Sequence, residues 1–221
     1  MRRVIRGISI ILVMILGFVY FTEDNNLKSI ANKKSEIYKY NDVILVNGDY
    51  GVGDYKPEKL VVPNIEFNDD SCNEEKKVSY EIKEPLENMI NDAKSDNVVL
   101  IGNSAYRSYK SQKEVYNNRV NAVGRKKAED YVAKPGFSEH QTGLCIDVTN
   151  RDKYFVKGTE EADWIANNCY KYGFIIRYPE GKENITGISY EPWHIRYVGK
   201  EIAKQIHNKG ITLEEYLGVN Q

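Results

Sequence analysis

The sequence predicts an α+β fold in which helices pack on a mainly antiparallel sheet. Apolar residues recur at helical spacing in 84–94 and 160–172, and short apolar runs at 98–101, 174–178 and 194–198 indicate strands. Because these elements do not alternate as regular βαβ units, a parallel sheet is disfavoured. The length of 221 residues and the hydrophobic fraction of 41% suit one domain with a full core.

The N-terminus has the composition of a membrane-directed segment. Three arginines, Arg2, Arg3 and Arg6, precede an uncharged run from Gly7 to Phe21. As a helix this run spans about 22 Å, against roughly 30 Å for the core of a bilayer, so its length allows either a cleaved signal or an anchor. No small-x-small cleavage motif follows the run, and an uncleaved signal-anchor is therefore favoured. The positive-inside rule then places the rest of the chain outside the cell membrane, as a single-pass protein with an extracytoplasmic domain.

The chain is thus predicted to have three parts: a signal-anchor at 1–22, a polar stalk at 23–41 and a folded domain at 42–221. In chain order, the elements predicted for the domain are a strand at 43–46, a turn at 47–49, a helix at 84–94 with Pro85 in its first turn, a strand at 98–101, a helix at 111–123, a strand at 144–148, a helix at 160–172, strands at 174–178 and 194–198, and a helix at 200–209.

Apolar spacing and helix breakers support these assignments. Leu86, Met89, Ile90 and Ala93 recur at i, i+3, i+4 and i+7, which is one face of a helix. Gly173 stands where the helix at 160–172 must end, and glycine is the preferred residue for such a cap.

Composition argues against several classes of function. Lys+Arg 31 nearly cancel Asp+Glu 32, and the part beyond the N-terminal arginines is mildly acidic, so nothing indicates a nucleic-acid partner. Cys72, Cys145 and Cys169 cannot form a disulfide framework, and none belongs to a C-x-x-C pair that would hold zinc. We expect Cys145 and Cys169 to behave as small buried hydrophobes. With 3 His in the chain, a site built on imidazole must use very few residues.

The residues that can carry chemistry are concentrated near two of these histidines. His140 and Asp147 are joined by a turn and a strand, and Glu191 stands three residues before His194 at the start of another strand. Two histidines, an aspartate and a spare glutamate are the inventory of a catalytic zinc, in which three ligands leave a position for water and a carboxylate takes its proton. The alternative is that His140 is a hydrogen-bonded core residue and His194 a strand-surface residue.

Two further polar residues have open interpretations. Arg107 follows a predicted buried strand, where its guanidinium could bind a carboxylate or a developing oxyanion, or could pair with one of the acidic side chains. His207, in a polar stretch of the last predicted helix, is expected to be a surface residue.

Three motifs occur in order between about residues 43 and 198: Ser104-x-Tyr106-Arg107-Ser108, Ser138-x-His140-x-x-Gly143-x-x-x-Asp147 and Glu191-Pro192-Trp193-His194. Together they resemble the VanY-type D-alanyl-D-alanine carboxypeptidases. This zinc peptidase family also includes the VanX and VanXY dipeptidases and the LdcB-type L,D-carboxypeptidases. One position departs from the pattern, since Cys145 stands where the family usually has alanine.

The resemblance implies an α+β domain that binds one zinc ion through His140, Asp147 and His194. It implies that Glu191 is the catalytic base and that Arg107 holds the scissile carbonyl or the oxyanion. Four further residues are implied to contact the substrate, two of them around its terminal carboxylate (Gln112 and Ser138) and two elsewhere (Tyr106 and Trp193).

The implied reaction is removal of the C-terminal D-alanine from the stem peptides of peptidoglycan precursors. Such trimming would lower the amount of target for glycopeptide antibiotics such as vancomycin. One alternative is an L,D-carboxypeptidase that trims tetrapeptide stems with the same metal chemistry, since the two activities differ in the shape of the pocket. Another is a wall-binding domain without catalysis.

Overall fold

The centre of the fold is a sheet whose strands come from distant parts of the sequence. A computed structural model describes residues 37–40 and 42–219, so the predicted anchor and most of the predicted stalk lie outside the described residues. The sheet contains β5 (Ile101–Ser104), β6 (Cys145–Thr149), β7 (Phe174–Ile176) and β8 (His194–Tyr197) in the order β5-β6-β8-β7. Every neighbouring pair is antiparallel, which confirms the predicted type of sheet.

Two short ribbons precede this sheet. In the first, β1 (Lys39–Tyr40) pairs antiparallel with β2 (Val43–Ile44), so the end of the predicted stalk takes part in secondary structure. In the second, β3 (Leu60–Val61) pairs with β4 (Val78–Ser79).

The helices lie between these strands and after the last of them. They are Tyr80–Ser95, Tyr109–Val123, Arg125–Glu129, Glu160–Asn168, Glu183–Thr186, Lys200–Lys209 and Leu213–Leu217, with 3₁₀ turns at Glu139–Thr142 and Cys169–Tyr172. Among the residues that the structure describes, no helix is both long enough and apolar enough to cross a bilayer.

The two faces of the sheet have different chemistry because side chains alternate along each strand. Ile146, Val148 and Ile195 join a core cluster that includes buried residues of the helices Tyr80–Ser95 and Glu160–Asn168. The neighbouring residues on the same strands point to the opposite face, and these include Asp147 of β6 and His194 of β8. The core therefore holds the strands in place while leaving one face free to carry polar groups. A smaller apolar cluster, which includes Ile175, packs the C-terminal helices against the edge strand β7.

Several predicted boundaries were wrong for identifiable reasons. The first helix begins at Tyr80 rather than at 84, because Ile82 extends its buried face, and Pro85 consequently lies inside the helix. Val98 and Leu100 are buried as predicted, but the strand begins only at Ile101, where pairing with β6 starts.

The remaining differences concern how elements end. The helix predicted at 160–172 ends at Asn168 and continues as a 3₁₀ turn, which Gly173 closes with a φ of 91°. The helix Leu213–Leu217 was not predicted, although Thr212 and Glu215 form a capping box at its start.

Candidate active site

The site begins with a pair of residues on adjacent strands. Asp147 of β6 and His194 of β8 are direct partners in the antiparallel register, so their side chains leave the same face of the sheet as neighbours. His194 Nδ1 lies 2.8 Å from Asp147 Oδ1. The strand register alone thus brings together two residues that are far apart in sequence.

His140 reaches the same aspartate from the 3₁₀ turn that precedes β6. Its Nε2 lies 3.4 Å from Asp147 Oδ2, while its Nδ1 lies 2.6 Å from the carbonyl oxygen of Ala105, the residue after β5. Gly143 closes the turn with a φ of 66°, and a Cβ there would lie 2.9 Å from the backbone nitrogen of Ser79. The turn therefore requires glycine both for its backbone angle and for its close approach to β4.

Each histidine uses one ring nitrogen to hold its orientation and turns the other toward Asp147. For His140 the holding partner is the carbonyl of Ala105, and for His194 it is Glu139, whose Oε2 lies 3.2 Å from Nε2. Metal-binding histidines are usually arranged in this way, with the second nitrogen bonded to a carbonyl or a carboxylate. The donor set of two imidazole nitrogens and a carboxylate thus fits the three protein ligands of a catalytic zinc site.

The electrostatics of the two imidazoles differ. Burial and the nearby Arg107 guanidinium lower the pKa of His140 to about 3, which keeps this ring neutral, as metal binding requires. Burial also opposes protonation of His194, but Cys145 and the carboxylates of Asp147 and Glu139 raise its pKa well above the usual value. The pKa of Asp147 stays below its usual range despite burial, because both imidazoles and Arg107 favour its ionised form.

Glu191 and Arg107 complete the charged groups of the site. Burial is the main reason that the pKa of Glu191 rises to about 8, and the charge of Asp147 adds to it. The structure gives the Glu191 carboxylate no hydrogen-bonding partner among residues 37–40 and 42–219. Arg107 has a buried Nε without a partner in the same part of the chain. Both groups are therefore available to a bound molecule.

These residues line a cavity of about 200 Å³, which we call the cleft. The sequence-predicted residues in its lining are Arg107, Gln112, Ser138, His140, Asp147, Glu191, Trp193 and His194. Its other walls are Tyr131, Val132, Ala133, Tyr178 and Ile188, which sequence reasoning did not identify. Tyr106 is buried and does not belong to the lining. His207 is exposed on the helix Lys200–Lys209, as predicted, and stacks on Tyr170.

The orientation of Gln112 differs from what a carboxylate-binding role requires. Its Nε2 donates to the carbonyl of Ala133 at 2.7 Å, and its buried Oε1 has no partner in the described chain. A carbonyl oxygen of this kind, which lies in the cleft lining without a donor, suits a substrate N–H rather than a terminal carboxylate. Ser138, which is also buried in the lining, keeps a hydroxyl that can donate.

Cys145 stands closer to the metal ligands than its expected role as a core residue implies. It is buried on the same strand face as Asp147, two residues earlier. One ligand atom from each of His140, Cys145 and His194 lies within 4.8 Å of the others. Burial raises the pKa of its thiol. The other cysteines follow the sequence interpretation, with Cys169 buried and Cys72 exposed.

Sequence reasoning also missed a charged group behind His194, which we call the buried ion cluster: Glu139, Arg177, Arg196 and Glu214. Glu139 Oε1 accepts from Arg177 Nε at 2.8 Å and from Arg196 Nη1 at 2.6 Å. Glu214 accepts from both Nη atoms of Arg177, at 3.0 and 2.6 Å. All four side chains are at most 1% exposed. Two positive and two negative charges therefore balance inside the protein.

Comparison with known proteins identifies the family of the chain. Residues 75–200 match the family profile described as "VanY: D-alanyl-D-alanine carboxypeptidase". The chain belongs to this family. It is 41% identical over 198 residues to a putative carboxypeptidase, YodJ, of Bacillus subtilis, covering 87% of this chain and 72% of the relative. It is 40% identical over 154 residues to a D-alanyl-D-alanine carboxypeptidase of Enterococcus faecalis, covering 66% of this chain and 57% of the relative.

Solved structures of both specificities resemble the chain. The LdcB LD-carboxypeptidase aligns with a TM-score of 0.74 and 39% identity, over 85% of this chain and 95% of the other. A variant of the D,D-pentapeptidase VanY in complex with Zn(II) aligns with a TM-score of 0.66 and 36% identity, over 79% of this chain and 97% of the other. The family resemblance inferred from the motifs is thereby confirmed. The roles of individual site residues stay predictions.

Proposed function

We propose that the chain is a zinc-dependent D,D-carboxypeptidase that removes the C-terminal D-alanine from peptidoglycan stem peptides. The observation that carries this proposal is the convergence of His140 Nε2 and His194 Nδ1 on one carboxylate, each with its second nitrogen already bonded. Membership in the VanY family and the relatives named D-alanyl-D-alanine carboxypeptidase support the reaction.

The metal would be held by His140, Asp147 and His194. When bound there, zinc supplies a Lewis acid for the scissile carbonyl and lowers the pKa of a coordinated water. His140 would supply a neutral donor, since its pKa is depressed to about 3, and Asp147 would supply an anionic one. His194, whose pKa is raised, would give up a proton when the metal binds.

Glu191 is suited to move the proton in both halves of the reaction. Burial makes the ionised Glu191 carboxylate a stronger base than an exposed one, so it would accept a proton from the attacking water and return it to the departing amine. Arg107, whose Nε has no partner among the described residues, would bind the oxygen of the scissile carbonyl as negative charge develops on it.

The substrate side chains and termini would contact the polar groups of the cleft. The Oε1 of Gln112 would accept from a peptide N–H of the stem, and the hydroxyl of Ser138 would donate to the terminal carboxylate. Trp193, which is half-buried in the lining, offers an apolar surface for the alanine methyl groups.

A second candidate is an L,D-carboxypeptidase acting on tetrapeptide stems. It is favoured by the LdcB alignment, whose TM-score of 0.74 and identity of 39% exceed the 0.66 and 36% of the VanY structure. The two activities share the metal chemistry and differ in the configuration of the residue before the scissile bond.

The test is incubation of the zinc-loaded full chain with synthetic stem pentapeptide and tetrapeptide, with products read by mass. Loss of one alanine from the pentapeptide alone supports the D,D activity, and loss from the tetrapeptide supports the L,D alternative. Release of an intact dipeptide, or no cleavage of either peptide, would overturn the proposal. The chelator-treated protein and the Glu191→Gln variant are the matched controls.

We further propose that residues 1–22 anchor the protein in the cell membrane and hold the catalytic domain outside the cytoplasm. The support is the order of the segment, three arginines followed by an uncharged run. Membrane fractionation of cells that express the full chain, with protease added to intact protoplasts, tests this. Recovery in the cytosolic fraction, or protection of the domain from protease, would contradict it.

A further inference from the structure

Glu139 occupies the boundary between the cleft and the buried ion cluster. It lies in the 3₁₀ turn directly before His140, and its side chain is 1% exposed. One carboxylate oxygen serves the two arginines, and the other faces His194 Nε2 at 3.2 Å. The Glu139 side chain thus connects a proposed metal ligand to the buried ion cluster, whose members do not line the cleft.

The charges of the cluster determine what Glu139 can do for His194. The charges of Arg177 and Arg196 already balance those of Glu139 and Glu214. Glu139 therefore stays ionised without taking a proton from His194 or needing its positive charge. Its free Oε2 can then only accept a hydrogen bond, because an ionised carboxylate has no proton to donate. The partner that it faces, His194 Nε2, must therefore be the nitrogen that keeps its proton when Nδ1 binds a metal ion.

We propose that Glu139 is a positioning residue that fixes the tautomer and ring plane of His194 for metal binding. With the proton held at Nε2, the lone pair of His194 is on Nδ1, which is the nitrogen that faces Asp147 at 2.8 Å. The two arginines hold Glu139 at this position, so the cluster pre-orients the ligand before the metal arrives. This inference rests on the proposed metal site and adds a role for a residue outside its ligands.

A glutamine at position 139 reverses this arrangement while keeping the shape of the side chain. The arginines both require an acceptor where Oε1 lies, so the amide oxygen takes that side and the amide NH₂ turns toward His194. A donor at that place favours the tautomer with the proton on Nδ1, which opposes metal binding. Loss of such outer hydrogen bonds typically weakens metal affinity roughly 10- to 100-fold.

Glu214 provides a matched control for the charge that the substitution removes. It is buried to the same extent and binds the same Arg177, but its other partner is Asn47 Nδ2 at 3.0 Å rather than a histidine. Glu214→Gln therefore removes one negative charge from the same cluster without touching His194.

The experiment compares zinc affinity in the full-length wild-type chain, Glu139→Gln and Glu214→Gln by competition with a chromophoric chelator. Urea unfolding of each chelator-treated protein measures stability separately. We expect both variants to lose stability, but only Glu139→Gln to bind zinc roughly 10- to 100-fold more weakly. Equal zinc affinity in the two variants, whether retained or lost, would overturn the positioning role.

A second measurement does not depend on the folding of a variant. Long-range ¹H–¹⁵N correlation spectra of the zinc-loaded wild-type protein show which imidazole nitrogen of each histidine carries a proton, and 3 His in the chain make assignment direct. A proton on Nε2 of His194 supports the inference, and a proton on Nδ1 refutes it. If the protein binds zinc with the expected tautomer but cleaves no stem peptide, the proposed function fails while this inference stands.

Discussion

Two groups of buried charges lie on either side of His194, and they are organised in opposite ways. In the buried ion cluster, every nitrogen of Arg177 has an acceptor, from Glu139, Glu214 or the carbonyl of Val46. In the cleft, Glu191 and the Nε of Arg107 have no partner among the described residues. A satisfied charge network holds a structure in place, whereas unsatisfied polar groups in a cavity are available for a ligand. The difference separates the residues that build the site from those that act in it.

Disruption of the cluster should have the largest effect on stability. Arg177→Met leaves two buried carboxylates facing one arginine, and breaking a buried ion pair from one side typically costs about 3–5 kcal/mol. We expect a loss of this size in the free energy of unfolding, measured by urea titration. Lys157→Met is the control, because it removes an ion pair with Glu180 whose side chains are 66% and 57% exposed. Its unfolding free energy should hardly change. Equal effects in the two variants would remove the distinction between a buried and a surface pair here.

Substitution of a cleft residue, in contrast, should lower the rate of catalysis and leave the fold intact. Glu191→Gln removes the proposed proton carrier but keeps a side chain of the same size, and general acid–base groups contribute about 10²- to 10⁴-fold to turnover. We therefore expect kcat on the stem pentapeptide to fall roughly a thousandfold with zinc content unchanged. Zinc content by atomic emission is the deciding measurement. If zinc is lost together with activity, Glu191 is a ligand or a structural group.

The same contrast explains how much of the molecule could be predicted from sequence. His140, Asp147, Glu191 and His194 could be found because they stand in motifs of defined order and spacing. The structure places His140 in a tight turn, Asp147 in the middle of β6 and His194 at the start of β8. Arg107 was found in the same way, from its position after a strand.

The ion cluster could not be predicted because it depends on tertiary packing. Glu214 lies in a short helix near the C-terminus and Arg177 follows β7, and nothing in the local sequence distinguishes a buried glutamate from an exposed one. Strand ends shifted for a related reason: pairing with a neighbouring strand, rather than apolar content, decides where β5 begins.

The next prediction concerns Arg107, which lines the cleft but is an arginine like two members of the buried ion cluster. Arg107→Ala removes the proposed donor to the developing oxyanion, which is worth about 3–4 kcal/mol in comparable sites. We expect kcat/KM on the pentapeptide to fall by about a hundredfold or more, with stability close to that of the wild type. The control is Arg107→Lys, which retains the charge but not the planar fork and should recover only part of the rate. A fully active alanine variant would exclude Arg107 from the reaction, and a strongly destabilised one would assign it to the structure.

The last prediction concerns how the stability of the folded protein depends on pH through Glu191 in the cleft. Glu191 has a pKa of about 8 in the folded protein because of burial, whereas an unfolded chain leaves a glutamate at about 4.3. Between these values the folded state binds the extra proton, so its stability falls as the pH rises. Glu191→Gln lacks this penalty, and the chelator-treated variant should therefore become progressively more stable than the chelator-treated wild type as the pH rises from about 4.3 to about 8. Near pH 4 the two proteins should be equally stable.

Urea unfolding of both proteins across this pH range measures the difference in stability, in which contributions from the shared buried ion cluster cancel. Parallel curves would mean that the Glu191 carboxylate is solvated or partnered in solution. The distinction between an unsatisfied cleft and a satisfied cluster would then rest on Arg107 and Gln112.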